Sequence, residues 1–357
     1  MYPHLTYLEA LVVGLIQGVT ELFPMSSLGH NVLIPALVGG SWARDLNVSA
    51  PESPYLAFIV GLHVATAIAM IIYFWRDWYR IIKGFFGSVG HVIRPAPGTN
   101  RWEPQNADQK LSWMIIWATI PVGIAGLLLE HTFRVYLSKP VLTAAFLAVN
   151  GIILLLGERL RKRRSALDEQ QAAEDLQMAT VGGAAAVRPA IAEPAAAGAS
   201  GASGASAAEA RRAAKLHDAG LAVQADRRLT QMGWWSAFGL GAMQIVALCP
   251  GISRDGMVMV SGMFRGLSRQ DAARFSFLLS APVILAAGVL KYQDLTGPLS
   301  AGIRGQVLAG SIVSGVSAYL ALRFFVRYLS DSKRTLAPFA VYCLVVGVGS
   351  AVYLGIA

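Results

Sequence analysis

Hydrophobic positions along this chain are grouped into long runs. Six of them, about Tyr55–Trp75, Leu111–Leu129, Val141–Gly157, Asp271–Leu290, Gly305–Val326 and Ala337–Ile356, approach or reach the roughly 20 residues that a helix needs to cross a bilayer core. Two further apolar stretches, about Leu8–Val38 and Gly233–Phe264, are interrupted midway by Pro, Gly and polar residues. Irregular backbone at membrane depth is tolerated only where protein or a wet cavity surrounds it. The pattern predicts an all-α polytopic membrane protein with six transmembrane helices plus two re-entrant helix–loop–helix segments.

Composition agrees with that class. The 357 residues are 55% hydrophobic and 14% charged, with mean hydropathy +0.51, whereas soluble domains carry about a quarter charged residues. The net charge of +9 would suit nucleic acid, but the basic residues cluster at the ends of apolar runs, where membrane topology puts them. We therefore expect the membrane as a partner and no nucleic acid. The opening "MYPHLTYLEA" lacks a basic n-region and does not read as a cleaved signal peptide. Cys249 and Cys343 lie in apolar stretches and suggest no disulfide framework.

The basic flanks give an orientation. "WRDWYRIIK" (Trp75–Lys83), "ERLRKRR" (Glu158–Arg164) and "RFFVRYLSDSKR" (Arg323–Arg334) follow the first, third and fifth spans. Alternation puts all three on one side, which the positive-inside rule makes cytoplasmic. Both termini are then expected outside, with the first re-entrant segment entering from outside and the second from inside. Between the halves lies a cytoplasmic linker, roughly Ser165–Arg228. Its Ala/Gly/Ser/Pro-rich middle has nothing to pack and is expected to be disordered, with flanks able to form exposed helices. The expected organisation is 1–164 as a first membrane half, 165–228 as linker and 229–357 as a second half.

The halves repeat each other weakly. "QGVTELFPMSSLG" (Gln17–Gly29) matches "QIVALCPGISRDG" (Gln244–Gly256) in Gln, Pro, a Ser three residues after the Pro, and Gly. With three spans per half the repeats must be inverted, an architecture whose sites lie at the repeat interface. The two broken segments are therefore expected to face each other.

Polar residues in membrane segments mark function by default. In the first loop Gln17 and Glu21 share a helical face, and Ser26, Ser27 and His30 follow a helix-ending Pro24. If Gly29–His30 opens the next half-helix, Ser27 sits at its N-cap. A hydroxyl, an imidazole and a carboxylate together are what nucleophilic displacement needs. The second loop, "CPGISRDGMV" (Cys249–Val258), offers Gly251 and Gly256 for tight turns and successive N–H groups for an anion nest. Arg254 adds a planar fork for phosphate oxygens. A structural Arg254–Asp255 or Arg254–Glu21 pair is the alternative. His63, at membrane depth in the first full span, either reaches the pocket or packs on a polar neighbour. Together the loops suggest a small polar pocket for a phosphorylated lipid.

These residues resemble a known family. "QGVTELFPMSSLGH" is similar to the (E/Q)xxxE and SS-x-GH region of the undecaprenyl diphosphate phosphatases (BacA/UppP), and "PGISRDGM" resembles their PGxSRSxxT signature. "FWRDW", "RFSFLLSAPVILAAG" and "FAVYCLVVG" extend the resemblance over nearly the whole chain except the linker. The resemblance implies hydrolysis of undecaprenyl diphosphate to undecaprenyl phosphate and phosphate, recycling the carrier lipid of cell-wall synthesis. It places the protein in the bacterial inner membrane with the site open to the periplasm. Residue by residue, Glu21, Ser27 and His30 match the first motif, Ser253 and Arg254 the second, and Gln17 a position where the family uses Glu or Gln.

The roles expected from this match are Ser27 as nucleophile, oriented or deprotonated with help from His30 and Glu21, and Arg254 stabilising charge on the phosphoryl group. Gln17, Ser26, Gly251, Ser253 and Gly256 are expected to bind substrate. The family's association with divalent cations implies Mg or Ca, held mainly by the diphosphate, with Glu21 as the protein ligand on offer. Oligomeric state is not readable from the sequence, and a homodimer is compatible with it.

Two departures stand out: the signature's second Ser is Asp255 and its Thr is Val258. A lipid-phosphate transporter or flippase of inverted-repeat architecture would also use broken helices and a phosphate clamp, but it does not require the Ser27/His30/Glu21 set. The membrane lipid phosphatases with a histidine nucleophile and a "PSGH" segment also place a His six residues after their Ser-Arg pair; here that position is Val260.

Overall fold

The computed structural model describes residues 5–48, 54–181, 226–297, 302–331 and 333–356. Among these residues the secondary structure is entirely helical. In chain order the helices are α1 (Tyr7–Leu22), α2 (Ser27–Val38), α3 (Gly40–Asp45), α4 (Pro54–Tyr73), α5 (Trp75–Ile93), α6 (Ala107–Thr132) and α7 (Pro140–Val181). After the linker come α8 (Trp234–Ala242), α9 (Arg254–Phe264), α10 (Arg269–Leu290), α11 (Tyr292–Thr296), α12 (Arg304–Ser330) and α13 (Ala337–Ile356). A π-helical turn, Phe133–Leu137, follows α6, and a 3₁₀ segment, Met243–Leu248, extends α8.

Helix starts follow local chemistry. Thr6 and Glu9 form a capping box at α1, with the Glu9 carboxylate accepting the Thr6 N–H at 2.8 Å. Asn106 caps α6 and Ser268 caps α10 through the N–H groups of Gln109 (2.9 Å) and Asp271 (3.0 Å).

Six helices are long and apolar enough to cross a membrane: Tyr55–Tyr73, Ala107–Thr132, Pro140–Arg163, Arg269–Leu290, Arg304–Ser330 and Ala337–Ile356. They coincide with the six runs read from the sequence. Their outward faces carry apolar rows one turn apart, such as Ile116, Ile120 and Ile124 on α6 and Leu308, Ile312, Val316 and Leu320 on α12. Such rows suit lipid, and the chain is a multi-pass membrane protein. The interrupted stretches are helix–loop–helix units as expected, α1–α2 and α8–α9.

Residues Met1–Glu158 and Asp226–Ala357 form one compact unit, and Arg159–Ala225 a second. Of the second, only the continuation of α7 to Val181 is described, so the "DEQQAAEDLQ" flank is helical. The low-complexity middle of the linker and its second flank lie outside the described residues.

Within the first unit, α1 and α12 approach closely: a Cβ on Gly310 would sit 2.9 Å from the Ala10 carbonyl oxygen. Small residues are what permits helix backbones to meet inside a membrane. At one end of the bundle Arg80 bonds Asp77 (2.6 Å) and Asp226 (2.7 Å), and Arg274 bonds Asp226 at 2.8 Å. These pairs tie the first basic flank and the chain after the linker to α10.

Candidate active site

Glu21, in the last turn of α1, is where the two loops meet. Gln17 lies one turn earlier on the same face, and its Nε2 donates to Glu21 Oε2 at 2.9 Å. The Gln17 Oε1 accepts from Asn31 Nδ2 at 2.6 Å, so both ends of this fully buried amide are engaged by protein. Gln17 therefore fixes the Glu21 carboxylate and ties α1 to α2.

Pro24 ends the turn after α1, and Ser26 takes φ +68°, the left-handed region that only this non-glycine residue adopts among those described. The Ser26 Oγ accepts from the N–H of Gly29 (3.3 Å) and, from the other loop, of Gly251 (3.1 Å). Ser26 is thus the N-cap of α2. This corrects the sequence expectation that placed Ser27 there. With α2 opening at Ser27, the Ser27 hydroxyl is free of capping and donates to Glu21 Oε2.

The second loop is built around Gly251, at φ +110°, where a Cβ would lie 2.8 Å from the backbone N of Leu147. Ser253 caps α9 by accepting the Gly256 N–H at 3.1 Å. Arg254, the first residue of α9, reaches across to donate through Nη2 to Glu21 Oε1. The Arg254–Glu21 pair that the sequence left open is formed. The Arg254 Nε is buried and has no hydrogen-bond partner among the described residues.

Three of the four N–H groups expected to form an anion nest along Gly251–Arg254 are engaged by protein in this arrangement. Gly251 N–H goes to Ser26 Oγ, Ile252 N–H to the Cys249 carbonyl (3.1 Å) and Ser253 N–H to Asn150 Oδ1 (3.0 Å). Most buried donors are paired, and here the opposite loop, the same loop and α7 supply one partner each.

His30 faces away from Ser27. Its Nδ1 lies 2.7 Å from the Ser26 carbonyl oxygen and its Nε2 2.8 Å from the Tyr342 hydroxyl on α13. The imidazole that instead approaches Glu21 is His63, on α4, with Nε2 3.4 Å from Glu21 Oε2 and Nδ1 2.9 Å from the Ile59 carbonyl.

The chemistry is now concrete. A serine hydroxyl is hydrogen-bonded to a buried carboxylate, and a guanidinium from a second loop closes on the same carboxylate. Such an arrangement is chemically able to activate a serine hydroxyl and to bind an anion.

The family model described as "Bacitracin resistance protein BacA" matches residues 10–192 and 195–349. The chain belongs to this family. It is 51% identical over 356 residues to the undecaprenyl-diphosphatase of Mycolicibacterium paratuberculosis, covering 100% of both chains. Undecaprenyl-diphosphatase 2 of Frankia alni is 46% identical over 357 residues, with 99% of each chain covered. The undecaprenyl-diphosphatase of Granulibacter bethesdensis is 32% identical over 350 residues, covering 97% of this chain and 96% of its own.

In this BacA-family chain one oxygen of Asp255, the first of the two departures, has partners inside the bundle. Asp255 is buried in the first turn of α9 and turned toward α10, where its Oδ1 accepts from Ser276 (2.7 Å) and Ser280 (2.6 Å). Val258, the other departure, is packed in the core.

Sequence reading missed Asn150. Its Nδ2 donates to the Pro24 carbonyl at 2.9 Å while its Oδ1 takes the Ser253 N–H, so one fully buried side chain on α7 holds both loops. The available signal was an amide inside the run Val141–Gly157.

The residues present do not fit a resident divalent cation. Glu21 already receives Arg254 on one oxygen and Gln17 and Ser27 on the other. No group of three or more His, Cys, Asp or Glu side chains is placed to hold a metal among the described residues.

Proposed function

We propose that this chain is an undecaprenyl diphosphate phosphatase, releasing phosphate and undecaprenyl phosphate. The observation that carries the reading is the convergence of Ser27 and Arg254 on Glu21 in a chain whose full-length relatives bear the name undecaprenyl-diphosphatase. Ser27 Oγ attacks the terminal phosphorus and its proton passes to Glu21. The bond from phosphorus to the bridging oxygen breaks, and the electron pair leaves with undecaprenyl phosphate. A water then attacks the phosphoserine, the Ser27–phosphorus bond breaks, Ser27 takes its proton back from Glu21, and phosphate departs carrying both protons of the water. The unpartnered Arg254 Nε–H is a donor that a phosphoryl oxygen satisfies, stabilising charge as it spreads over the transferring group.

A divalent cation, Mg or Ca, would enter with the diphosphate and neutralise part of its charge; it is substrate-borne rather than resident on Glu21. Every group used comes from one chain, so the mechanism needs no homodimer.

The same reading includes the finer topology: re-entrant α1–α2 and α8–α9 units as inverted repeats, the site open to the periplasm of the inner membrane, and both termini outside. The three basic flanks support it. Cysteines introduced at the exposed Lys139 and Gln293 are then labelled by an impermeant reagent from outside, and one at Arg163 is not. Labelling of Lys139 and Arg163 positions from the same side would refute this topology.

The activity itself is tested by phosphate release from a C55 diphosphate by purified protein, with Ser27→Ala as control. Turnover in the wild type and its loss in the variant are expected. Lipid movement without phosphate release would favour a transporter.

A further inference from the structure

His30 belongs to the motif that resembles the family's, yet its ring makes no bond to Ser27. The Ser26 carbonyl can only accept a hydrogen, so His30 Nδ1 must be the nitrogen that carries it. In the neutral ring Nε2 is then an acceptor, and the Tyr342 hydroxyl donates to it at 2.8 Å. The two rings stack, with centroids 5.7 Å apart and planes 10° from parallel. Both nitrogens of His30 are thereby assigned, and neither is available to take the Ser27 proton. The carbonyl that His30 holds belongs to Ser26, the residue at φ +68° whose turn sets the direction of Ser27. A non-glycine residue in that region stays there only when its surroundings over-determine it. Here the surroundings are the Gly251 N–H on its Oγ and the His30 ring and backbone N–H (3.2 Å) on its carbonyl.

We propose that Tyr342 is a positioning residue of this site. Its hydroxyl, bonded to His30 Nε2, keeps the ring seated on the Ser26 carbonyl, whose need for a donor sets the Nδ1–H tautomer, and the Ser26 turn keeps Ser27 on Glu21. His30 acts through the backbone of its neighbour, and the C-terminal span α13 takes part in aligning the nucleophile 315 positions away (Ser27 to Tyr342). This inference rests on the phosphatase reading for its kinetic readout, but the tautomer can be observed without turnover.

The test uses full-length protein in detergent or vesicles with a C55 diphosphate. An Asn amide nitrogen, like His Nδ1, is bonded to Cγ, whereas a Gln amide nitrogen takes the place of Nε2. Neither side chain can act as a base. His30→Asn should therefore keep at least about 10-fold more kcat than His30→Ala, and His30→Gln should resemble the alanine variant. Tyr342→Phe should lower kcat about 10-fold with KM within about 2-fold of wild type, the mark of a transition-state alignment effect. In ¹⁵N-histidine-labelled protein the His30 signals, assigned by their loss in His30→Asn, should report a single Nδ1–H tautomer. In Tyr342→Phe the ring, no longer held at Nε2, should leave the Ser26 carbonyl, and the signals should report a mixture.

His30→Asn as inactive as His30→Ala would overturn the proposal, as would a Tyr342→Phe protein with unchanged kcat and unchanged tautomer. A wild type that releases no phosphate would instead remove the phosphatase reading, and the tautomer spectra would still decide whether Tyr342 fixes His30.

Discussion

The two loops that meet at Glu21 look alike in sequence and are used differently. Matching them by their prolines pairs Ser27 with Ser253. The capping geometry pairs them otherwise. Ser26 and Ser253 are the N-caps, each accepting the N–H three residues on, from Gly29 and Gly256. The residues after the caps, Ser27 and Arg254, open α2 and α9, and both reach Glu21. Equivalent positions thus deliver a hydroxyl from one side and a guanidinium from the other.

The frames also differ. The cap of the first loop has φ +68° and is braced by His30 and the second loop, whereas that of the second has an ordinary φ of −81°. The first loop is held in an unfavourable backbone conformation. The second donates one N–H, that of Gly251, to hold it there.

The sharpest way to break this equivalence is at the two reactive first residues. Ser27→Ala and Arg254→Ala should each lower kcat by at least about 100-fold, as loss of a nucleophile or of a charge-stabilising donor does. Steady-state phosphate release checks this, and near-wild-type turnover in folded variants would dissolve the pairing.

Next in size is the brace between the loops. Asn150→Leu strands the buried Pro24 carbonyl and Ser253 N–H, and should cost on the order of 2–3 kcal/mol of stability. It would be read as a lowered midpoint of thermal unfolding in detergent. A stability equal to wild type would mean that the loops are held by something else.

Smaller again is the second cap. Ser253→Ala loses its bond to Gly256 N–H and should destabilise by about 1 kcal/mol, with activity reduced far less than in Ser27→Ala. An effect on kcat as large as that of Ser27→Ala would assign Ser253 a part in the chemistry.

The smallest change is expected at Asp255→Ser. Because Asp255 is turned to Ser276 and Ser280, the substitution should leave the cation concentration for half-maximal rate within about 2-fold, despite a Coulomb term that would be large if the carboxylate faced the phosphates. A clearly raised cation requirement would show that Asp255 assists the metal.

Much of this molecule was legible in its sequence because the physics involved is local. A run of apolar side chains long enough to cross a bilayer is a property of consecutive residues, and so is a Pro–Gly interruption that ends a helix. All six spans and both broken helices follow from that, as does the concentration of Gln17, Glu21, Ser27, His30 and Arg254 in the two breaks. Gln17 and Glu21, one turn apart, were bound to meet on any helix.

The directions of side chains were decided elsewhere. Whether Ser26 or Ser27 caps α2 depends on Gly251, which offers its N–H from more than two hundred residues away. His30 bonds the Ser26 carbonyl and, across the bundle, Tyr342 on α13, and His63 meets Glu21 through the packing of α4 in the same unit. Inside a bundle most buried donors and acceptors find a partner in the protein. The sequence alone could name which groups need one; only the packing of distant helices could say which partner each would meet.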